Sequence, residues 1–146
     1  VIRTFLEVGN KPETMILMIQ KEVAERICAD PGDMSVLAVS VQYYAEPEIV
    51  MKVPRSYFWP EPKVDSAIIK IGNIKSKNQD SKRFFSLVKA GFSSKRKLLL
   101  NNLLNCIGKD RKQELLKLFK EFNINEKARA QELGMEDWKK LVEGIT

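Results

Sequence analysis

Residues 53–66 read Val-Pro-Arg-Ser-Tyr-Phe-Trp-Pro-Glu-Pro-Lys-Val-Asp-Ser, with three consecutive aromatic residues at 57–59 enclosed by prolines. Proline fixes its own φ angle and pushes the preceding residue into an extended conformation, so this stretch is predicted to be a stiff loop between two strands. Arg55 and Lys63 flank the aromatics, and a loop of this composition can stack a nucleobase while a cation binds a phosphate. The alternative is that the three rings cap a hydrophobic core, because burial of large aromatics stabilises a fold.

The sequence around the loop predicts an α/β domain. Residues 48–53 and 64–71 are rich in β-branched residues and predict two strands that the loop joins into a hairpin. The continuous apolar run 14–19 is typical of a strand buried on both faces of a parallel sheet, and residues 20–28 fit a short helix. Residues 35–44 fit either a strand or a helix. Strands and helices in this order are typical of an α/β domain.

The first residues predict an incomplete domain. Residues 1–7 read as the last turns of a helix that ends at Gly9 and Asn10. A domain seldom opens in this way, so we expect the chain to begin inside a domain. Exposed edges and apolar faces of an incomplete sheet would promote self-association.

The second half of the chain is predicted to be helical. Residues 73–81 are rich in Asn, Ser and Lys, which predicts a domain boundary. Apolar residues at helical spacing then predict five short helices around 84–92, 98–107, 110–122, 125–133 and 135–142. Gly108 would end the second of them. Gln113 would complete a capping box with Asp110 in the third, and Asn125 would cap the fourth.

Composition excludes several classes of site. The chain has 146 residues, 44% of them hydrophobic and 30% charged, which suits one core, with or without a small satellite. No run approaches the roughly 18 apolar residues of a membrane span, and no signal-peptide pattern is present. The absence of histidine excludes histidine bases and Ser-His-Asp triads, and Cys28 and Cys106 lack metal-ligand spacing. We therefore expect no metal site, and we expect the protein to reside in a reducing, cytoplasmic setting.

The positive charge is concentrated in one segment. The net charge is +6, of which residues 75–97 contribute +7, from eight Lys or Arg and one Asp. Residues 1–74 carry eight basic and ten acidic residues, and residues 98–146 carry nine and eight. The basic segment is a candidate footprint for a polyanion, although a solvated linker would have the same composition.

Three cations stand where a helix is predicted to begin. Ser93 or Ser94 would cap the second helix, which places the basic triplet Lys95-Arg96-Lys97 in its first turn. Cations there cost about 0.3–1 kcal/mol each, because the N-terminal end of the helix macrodipole is positive. A broken local preference often marks a functional site. The alternative is that the first two helices are continuous, so that no helix N-terminus exists at the triplet.

Several segments together resemble one known family. They are Gln-Lys-Glu-Val-Ala-Glu-Arg at 20–26, Ser-Val-Gln-Tyr-Tyr at 40–44, the loop at 53–66, Phe-Ser-Ser-Lys-Arg-Lys at 92–97 with Asn-Asn-Leu at 101–103, and Ala-Arg-Ala-Gln-Glu-Leu at 128–133. The chain resembles the KsgA/RsmA family of ribosomal RNA small-subunit adenine dimethyltransferases, which is related to the Erm resistance methyltransferases. The turn at 31–34 is shorter than is usual in that family.

The resemblance implies transfer of methyl groups from S-adenosylmethionine to adenine N6 near the 3′ end of small-subunit ribosomal RNA. The family holds its cofactor with a Gly-rich loop and the adenine amine with an Asn-Leu-Pro-Tyr-type motif, and neither occurs here. The chain is therefore expected to be the C-terminal part, with no catalytic or cofactor-binding residue of its own. Residues 1–73 would complete a Rossmann-like methyltransferase domain in the order strand, helix, helix, β-hairpin, which makes 35–44 a helix. Residues 74–146 would form a helical RNA-binding domain.

The resemblance also assigns roles to individual residues. Phe58 matches the aromatic that stacks on the flipped adenine, and such stacking is worth about 1–3 kcal/mol per base. Lys95, Arg96 and Lys97 match the residues that contact ribosomal RNA.

Other residues of the loop have weaker assignments. Arg55 and Lys63 are further candidates for phosphate contact, although Lys63 could equally pair with Glu61 or Asp65 as part of the scaffold. Asp65 and Ser66 are expected to fix the loop by side-chain hydrogen bonds to the backbone.

Two other functions stay open from the sequence. One is a non-enzymatic RNA-binding or ribosome-binding module on the same scaffold. The other is an Erm-type methyltransferase of the large ribosomal subunit, against which the helical second half counts.

Overall fold

The computed structural model describes residues 2–7, 12–75 and 81–145, apart from the side chains of Arg3 and Glu7. Three strands lie in these ranges: β1 Met15–Gln20, β2 Glu46–Val53 and β3 Ser66–Gly72. The helices are α1 Ile2–Glu7, α2 Lys21–Ile27, α3 Val36–Gln42, α4 Ser81–Gly91, α5 Leu99–Ile107, α6 Lys112–Glu121 and α7 Met135–Gly144. No helix in the described ranges is long and apolar enough to cross a membrane.

The chain forms two compact units. The first comprises Val1–Ala29 and Leu37–Lys77, and the second comprises Asp30–Val36 and Asn78–Thr146. The sequence predicts a domain boundary at 73–81. Within that stretch, residues 76–80 lie outside the described residues. Residues 30–36 belong to the helical unit because Gly32 and Met34 both donate their N–H groups to the carbonyl of Gln131, at 2.9 and 3.1 Å.

β3 is the central strand of the sheet in the first unit. The strand order is β1-β3-β2, and β3 pairs antiparallel with both neighbours. β1 and β2 therefore run parallel to each other on either side of β3. They are connected through α2 and α3, because parallel strands need a long crossover, whereas the return from β2 to β3 is a hairpin.

The predicted order of strand, helix, helix and hairpin is confirmed. Residues 35–44, which the residues alone left ambiguous, contain α3, as the family resemblance implied. Gln42 at the end of α3 donates from Nε2 to the carbonyls of Ile27 and Ala29, at 3.0 and 2.9 Å, and so links α3 to the end of α2. The helix predicted at 1–7 is present as α1, but Gly9 and Asn10, predicted to end it, lie outside the described residues.

The predicted environment of β1 is wrong. Its bonded neighbour is antiparallel rather than parallel, and Ile16 and Met18 are exposed. On the buried face, Ala67, Ile69 and Ile71 of β3 are inaccessible to solvent, and α2 packs against all three strands. The sheet is thus buried on one face, as antiparallel pairing allows.

The other face of the sheet carries an apolar row. The register places Met18 of β1 and Met51 of β2 on opposite sides of Ile68 of β3. Met18 and Met51 are both more than half exposed, and Val50, at an irregularity in the pairing of β2, is exposed as well. Exposed apolar patches are typical of surfaces that associate.

The helical unit is built around Trp138 of α7. Trp138 is fully buried, with Phe119, Leu99, Leu103, Leu115 and Leu141. Gly91, the last residue of α4, lies so close to Trp138 that a Cβ atom at this position would clash with Cη2 of the indole. Phe92 stacks on the same indole, with ring centroids 5.6 Å apart. The end of α4 is therefore fixed against α7.

The predicted capping box of the third helix is wrong. α5 ends at Gly108, whose φ is +107°, as predicted. A 3₁₀ turn, Lys109–Arg111, then precedes α6, and the N-cap Arg111 makes no side-chain capping bond. Arg111 instead donates from Nε to the Glu114 carboxylate at 2.8 Å, which lowers the pKa of Glu114.

The predicted fourth helix, at 125–133, is also wrong. Asn125 accepts a hydrogen bond from the N–H of Lys127 at 2.8 Å, but it caps a turn, and only the 3₁₀ turn Ala130–Glu132 follows. The carbonyl of Ala128 accepts the N–H of Leu99 at 2.9 Å, and that of Gln131 accepts two N–H groups from residues 30–36. These carbonyls bind distant segments, so they do not close α-helical turns.

We expect the chain to self-associate through the apolar row of the sheet. Replacing Met18 and Met51 together by Lys should shift the chain towards monomer, because charges on this face oppose its burial. Sedimentation velocity over a concentration series measures the shift. The matched control is Val64→Lys, which adds a charge at an exposed apolar residue outside the sheet. A monodisperse monomer of the unchanged chain at high concentration would contradict the prediction.

Candidate nucleic-acid interface

The hairpin loop starts and ends at one edge of the sheet. Gln20, the last residue of β1, and Val53, the last residue of β2, both pair with Ser66, the first residue of β3. The loop therefore lies beside the start of α2. The register of β3 brings together residues that are more than 30 positions apart in the sequence.

Asp65 holds the loop, as the sequence predicted. Its Oδ1 accepts the backbone N–H of Arg55 at 3.0 Å, and its carbonyl accepts the N–H of Lys21 at 3.0 Å. Between these points Arg55–Tyr57 forms a 3₁₀ turn, in which the N–H of Tyr57 binds the carbonyl of Pro54 at 3.1 Å. Together with the prolines, these bonds restrict the loop to a defined conformation.

The aromatic residues of the loop face solvent to different degrees. Trp59 is 97% exposed and Tyr57 is 79% exposed, whereas Phe58 is half-buried. The alternative that all three rings cap a core is therefore wrong for Tyr57 and Trp59. An exposed aromatic surface on a restrained loop is suited to stacking with a planar ligand.

The cations of the loop differ in their partners. Arg55 forms an ion pair from Nε to Glu61 Oε1 at 3.0 Å, with both side chains about half exposed. Such surface pairs contribute only about 0–1 kcal/mol, so Arg55 can exchange partners. The sequence leaves Glu61 and Asp65 open as partners of Lys63, but in the structure both carboxylates bind Arg55. Within the described ranges, Lys63 has no ion-pair partner.

An open groove of about 510 Å³ runs beside the loop. It is lined by Gln20, Lys21, Glu22, Glu25, Arg55, Lys63, Val64 and Asp65. Its three cations face three carboxylates, so it is polar but carries no net charge. The sequence prediction missed Lys21, which reaches the groove because α2 starts directly after β1.

The basic triplet lies in a turn between α4 and α5. α4 ends at Gly91 and α5 begins at Leu99, with Leu98 in an extended conformation as its N-cap. The prediction that Ser93 or Ser94 caps a helix containing the triplet is therefore wrong, and so is the alternative of one continuous helix. The first N–H of α5, that of Leu99, binds the carbonyl of Ala128 rather than a capping side chain.

Asn102 of α5 fixes this turn. The side chain of Asn102 is buried, and its Nδ2 donates to the carbonyls of Gly91 and Ser94, at 2.6 and 3.0 Å. The N–H of Lys97 binds the same Ser94 carbonyl at 3.0 Å. No role was assigned to Asn102 from the sequence, although a polar residue among the leucines of an apolar helix face was a usable signal.

All three side chains of the basic triplet are exposed, and none forms an ion pair with a described residue. A buried amide therefore holds a turn that presents three unneutralised cations to solvent. This arrangement is suited to binding a polyanion such as a nucleic-acid backbone.

The only direct passage from a strand into an α-helix within the described ranges does not fit S-adenosylmethionine. There β1 passes into α2 at Gln20 to Lys21, with neither a loop nor a glycine. A cofactor of this kind is held where the backbone can approach it closely, which in doubly wound folds requires glycine at such a junction.

No group of acidic or cysteine side chains in the described ranges could hold a metal ion. Burial and the nearby Glu48 raise the pKa of Cys28, so this thiol stays protonated.

Comparison with known proteins gives one consistent family. A model of the ribosomal RNA adenine dimethylase family matches residues 1–146. The ribosomal RNA small subunit methyltransferase A of Dehalococcoides mccartyi is 43% identical over 144 residues, which are 97% of this chain and 49% of that protein. The protein of the same name from a Nostoc species is 44% identical over 133 residues, or 88% and 48% of the two chains. The chain spans about half the length of these relatives.

Solved structures agree with this family. A dimethyladenosine transferase from Plasmodium falciparum is similar with a TM-score of 0.75 and 28% identity, covering 96% of this chain and 60% of that one. The 23S rRNA methyltransferase ErmE is similar with a TM-score of 0.75 and 26% identity, covering 96% and 57%.

We expect Asn102→Ala to lower the free energy of unfolding by about 1–3 kcal/mol, because two carbonyls lose their donor. Urea denaturation measures this change, and amide hydrogen exchange should become faster at residues 94–97. The neighbouring Asn101 is exposed, so Asn101→Ala is the matched control and should change stability by less than about 0.5 kcal/mol. Equal effects of the two variants would contradict the role of Asn102.

Proposed function

The chain belongs to the ribosomal RNA adenine dimethylase family, and we propose that it is the C-terminal part of an enzyme that dimethylates adenine N6 in small-subunit ribosomal RNA. The match of the family model across residues 1–146 carries this proposal, and the relatives at above 40% identity bear small-subunit names. The methyl donor would be S-adenosylmethionine, bound by residues outside this chain. The partner would be an immature small ribosomal subunit in the cytoplasm.

The part that this chain contributes would be the substrate side of the reaction. The loop at 53–66 offers Phe58, half-buried on a restrained backbone, as a surface for the target adenine. A base that leaves its stack loses stacking energy, and a stacking partner in the enzyme offsets part of that loss. Arg55 and Lys63 lie in the adjoining groove, where they can contact phosphates on either side of the base.

The basic triplet would dock the enzyme on ribosomal RNA. Phosphate contacts position a protein on a nucleic acid without reading its sequence. Lys95, Arg96 and Lys97 are exposed and lack ion-pair partners within the described residues, so binding RNA would break no existing pair. The fixed turn further reduces the conformational entropy that binding would cost.

A non-enzymatic RNA-binding module is the second candidate for the 146 residues alone. It is favoured by one observation, namely that the described residues offer RNA-binding surfaces but no cofactor site. Detection of methyl transfer by the longer protein, with adenine in small-subunit RNA as the product, separates the two candidates. Methylation of large-subunit RNA instead would support an Erm-type enzyme.

We expect the triple change of Lys95, Arg96 and Lys97 to Ala to weaken strongly the salt-sensitive binding of this chain to immature small subunits. Loss of three phosphate contacts should reduce the slope of log K against log salt concentration by about 2–3. Filter binding over a salt series measures both quantities. The matched control changes Lys117, Lys120 and Lys140 to Ala, which removes three exposed lysines of the same unit. If the triple variant binds with the affinity and salt dependence of the unchanged chain, these residues are only a solvated surface.

We expect Phe58→Ala to reduce methyl transfer by the longer protein about 5- to 100-fold, since stacking on the target base is lost. Phe58→Tyr keeps a stacking ring and should retain most of the activity. The measurement is incorporation of labelled methyl groups into small-subunit RNA at saturating RNA. Similar rates for the Ala and Tyr variants would contradict stacking by Phe58.

A further inference from the structure

Trp59 is the most exposed large apolar residue among the described residues. With 97% of its surface open to solvent, the indole contributes almost nothing to packing within its own unit. Tyr57, two positions earlier, is 79% exposed. The family resemblance assigns a base only to Phe58, so these two rings have no role in the function proposed above.

Trp59 and Phe58 face different surroundings. Phe58 is half-buried, whereas 97% of the adjacent Trp59 is exposed, so the two rings do not share one environment. A base stacked on Phe58 would therefore leave the indole uncovered.

The loop has one cation that is available for a phosphate. Both carboxylates of the loop are occupied within it, since Glu61 pairs with the side chain of Arg55 and Asp65 accepts its N–H. Lys63 is the cation of the loop that has no ion-pair partner among the described residues. An exposed indole and an available cation on the same short loop can together bind a nucleotide, with the ring stacking on the base and the ammonium group contacting a phosphate.

The loop is also preorganised for this contact. Pro54, Pro60 and Pro62 restrict its backbone, and Asp65 fixes both of its ends. Because the backbone that carries the rings is already restrained, binding would order few additional residues. Preorganisation distinguishes this surface from a flexible loop that carries an aromatic residue by chance.

We propose that Trp59, supported by Tyr57 and Lys63, is a second stacking surface that binds the unpaired nucleotide next to the one received by Phe58. This inference rests on the proposed function, because it requires single-stranded RNA at the loop. It adds a contact to the neighbouring base and thereby makes the enzyme select a target that is flanked by an unpaired nucleotide.

Tryptophan fluorescence tests the contact directly. The chain has two tryptophans, and Trp138 is fully buried in the helical unit, so the red edge of the emission reports Trp59. A short single-stranded oligoadenylate should quench this emission. An abasic oligonucleotide of the same length keeps the phosphates without the bases and should not. The Trp59→Phe chain is the control, because the remaining signal of Trp138 should not respond to either probe.

Affinity measurements complete the test. Trp59→Ala should weaken binding of the oligoadenylate about 5- to 100-fold, whereas Trp59→Phe should retain most of it. Thermal unfolding should be unchanged in both variants, since the side chain is exposed. Equal quenching by the abasic probe, or unchanged affinity of Trp59→Ala, would overturn the inference.

A comparison of the Trp59 variants with the triplet variant of the same chain distinguishes failure of this inference from failure of the proposed function. If binding to small subunits still depends on the basic triplet while Trp59 has no effect, only the second stacking surface is refuted. If neither loop nor triplet binds RNA, both proposals fail. If Trp59→Ala instead abolishes self-association in sedimentation without affecting RNA binding, Trp59 contacts a second copy of the chain and the inference is overturned.

Discussion

The antiparallel pairing of β3 with both of its neighbours is the constraint on which the first unit depends. Because β3 runs against β1 and β2, the ends of those two strands and the start of β3 meet at one edge, where Gln20 and Val53 pair with Ser66. The hairpin loop and the first turn of α2 therefore lie side by side. The groove that contains Lys21, Arg55 and Lys63 is a direct consequence of this register.

Each candidate RNA surface is held by one polar side chain that binds backbone groups. In the loop, the Asp65 carboxylate accepts the N–H of Arg55, and in the turn before α5, the Asn102 amide donates to the carbonyls of Gly91 and Ser94. A buried carbonyl that loses its donor costs about 1–3 kcal/mol, so the bonds of the buried Asn102 specify a conformation as well as stabilising it. Function would thus rest on residues that do not touch the ligand.

The two surfaces would recognise RNA by different physical means. The basic triplet would act through charge, which is long-ranged and weakened by salt. The loop would act through ring stacking, since its groove carries as many carboxylates as cations. A charge-balanced groove attracts phosphates less than the triplet does, so the loop would contribute selection of an unpaired base and the triplet most of the attraction.

The sequence by itself determined the kinds of element, the hairpin and its loop, the family, and the clustering of positive charge at 75–97. These properties follow from local rules: proline restricts its neighbours, β-branched residues favour strands, and glycine at positive φ ends α5 at Gly108. The tertiary structure alone decided where backbone groups find distant partners. Leu99 binds Ala128 and Gln131 binds Gly32 and Met34, which replaces the predicted helix at 125–133 with turns and moves the start of α5 beyond the basic triplet. The antiparallel position of β3 and the exposure of Trp59 were likewise decided by pairing and packing between residues far apart in the chain, which no local pattern encodes.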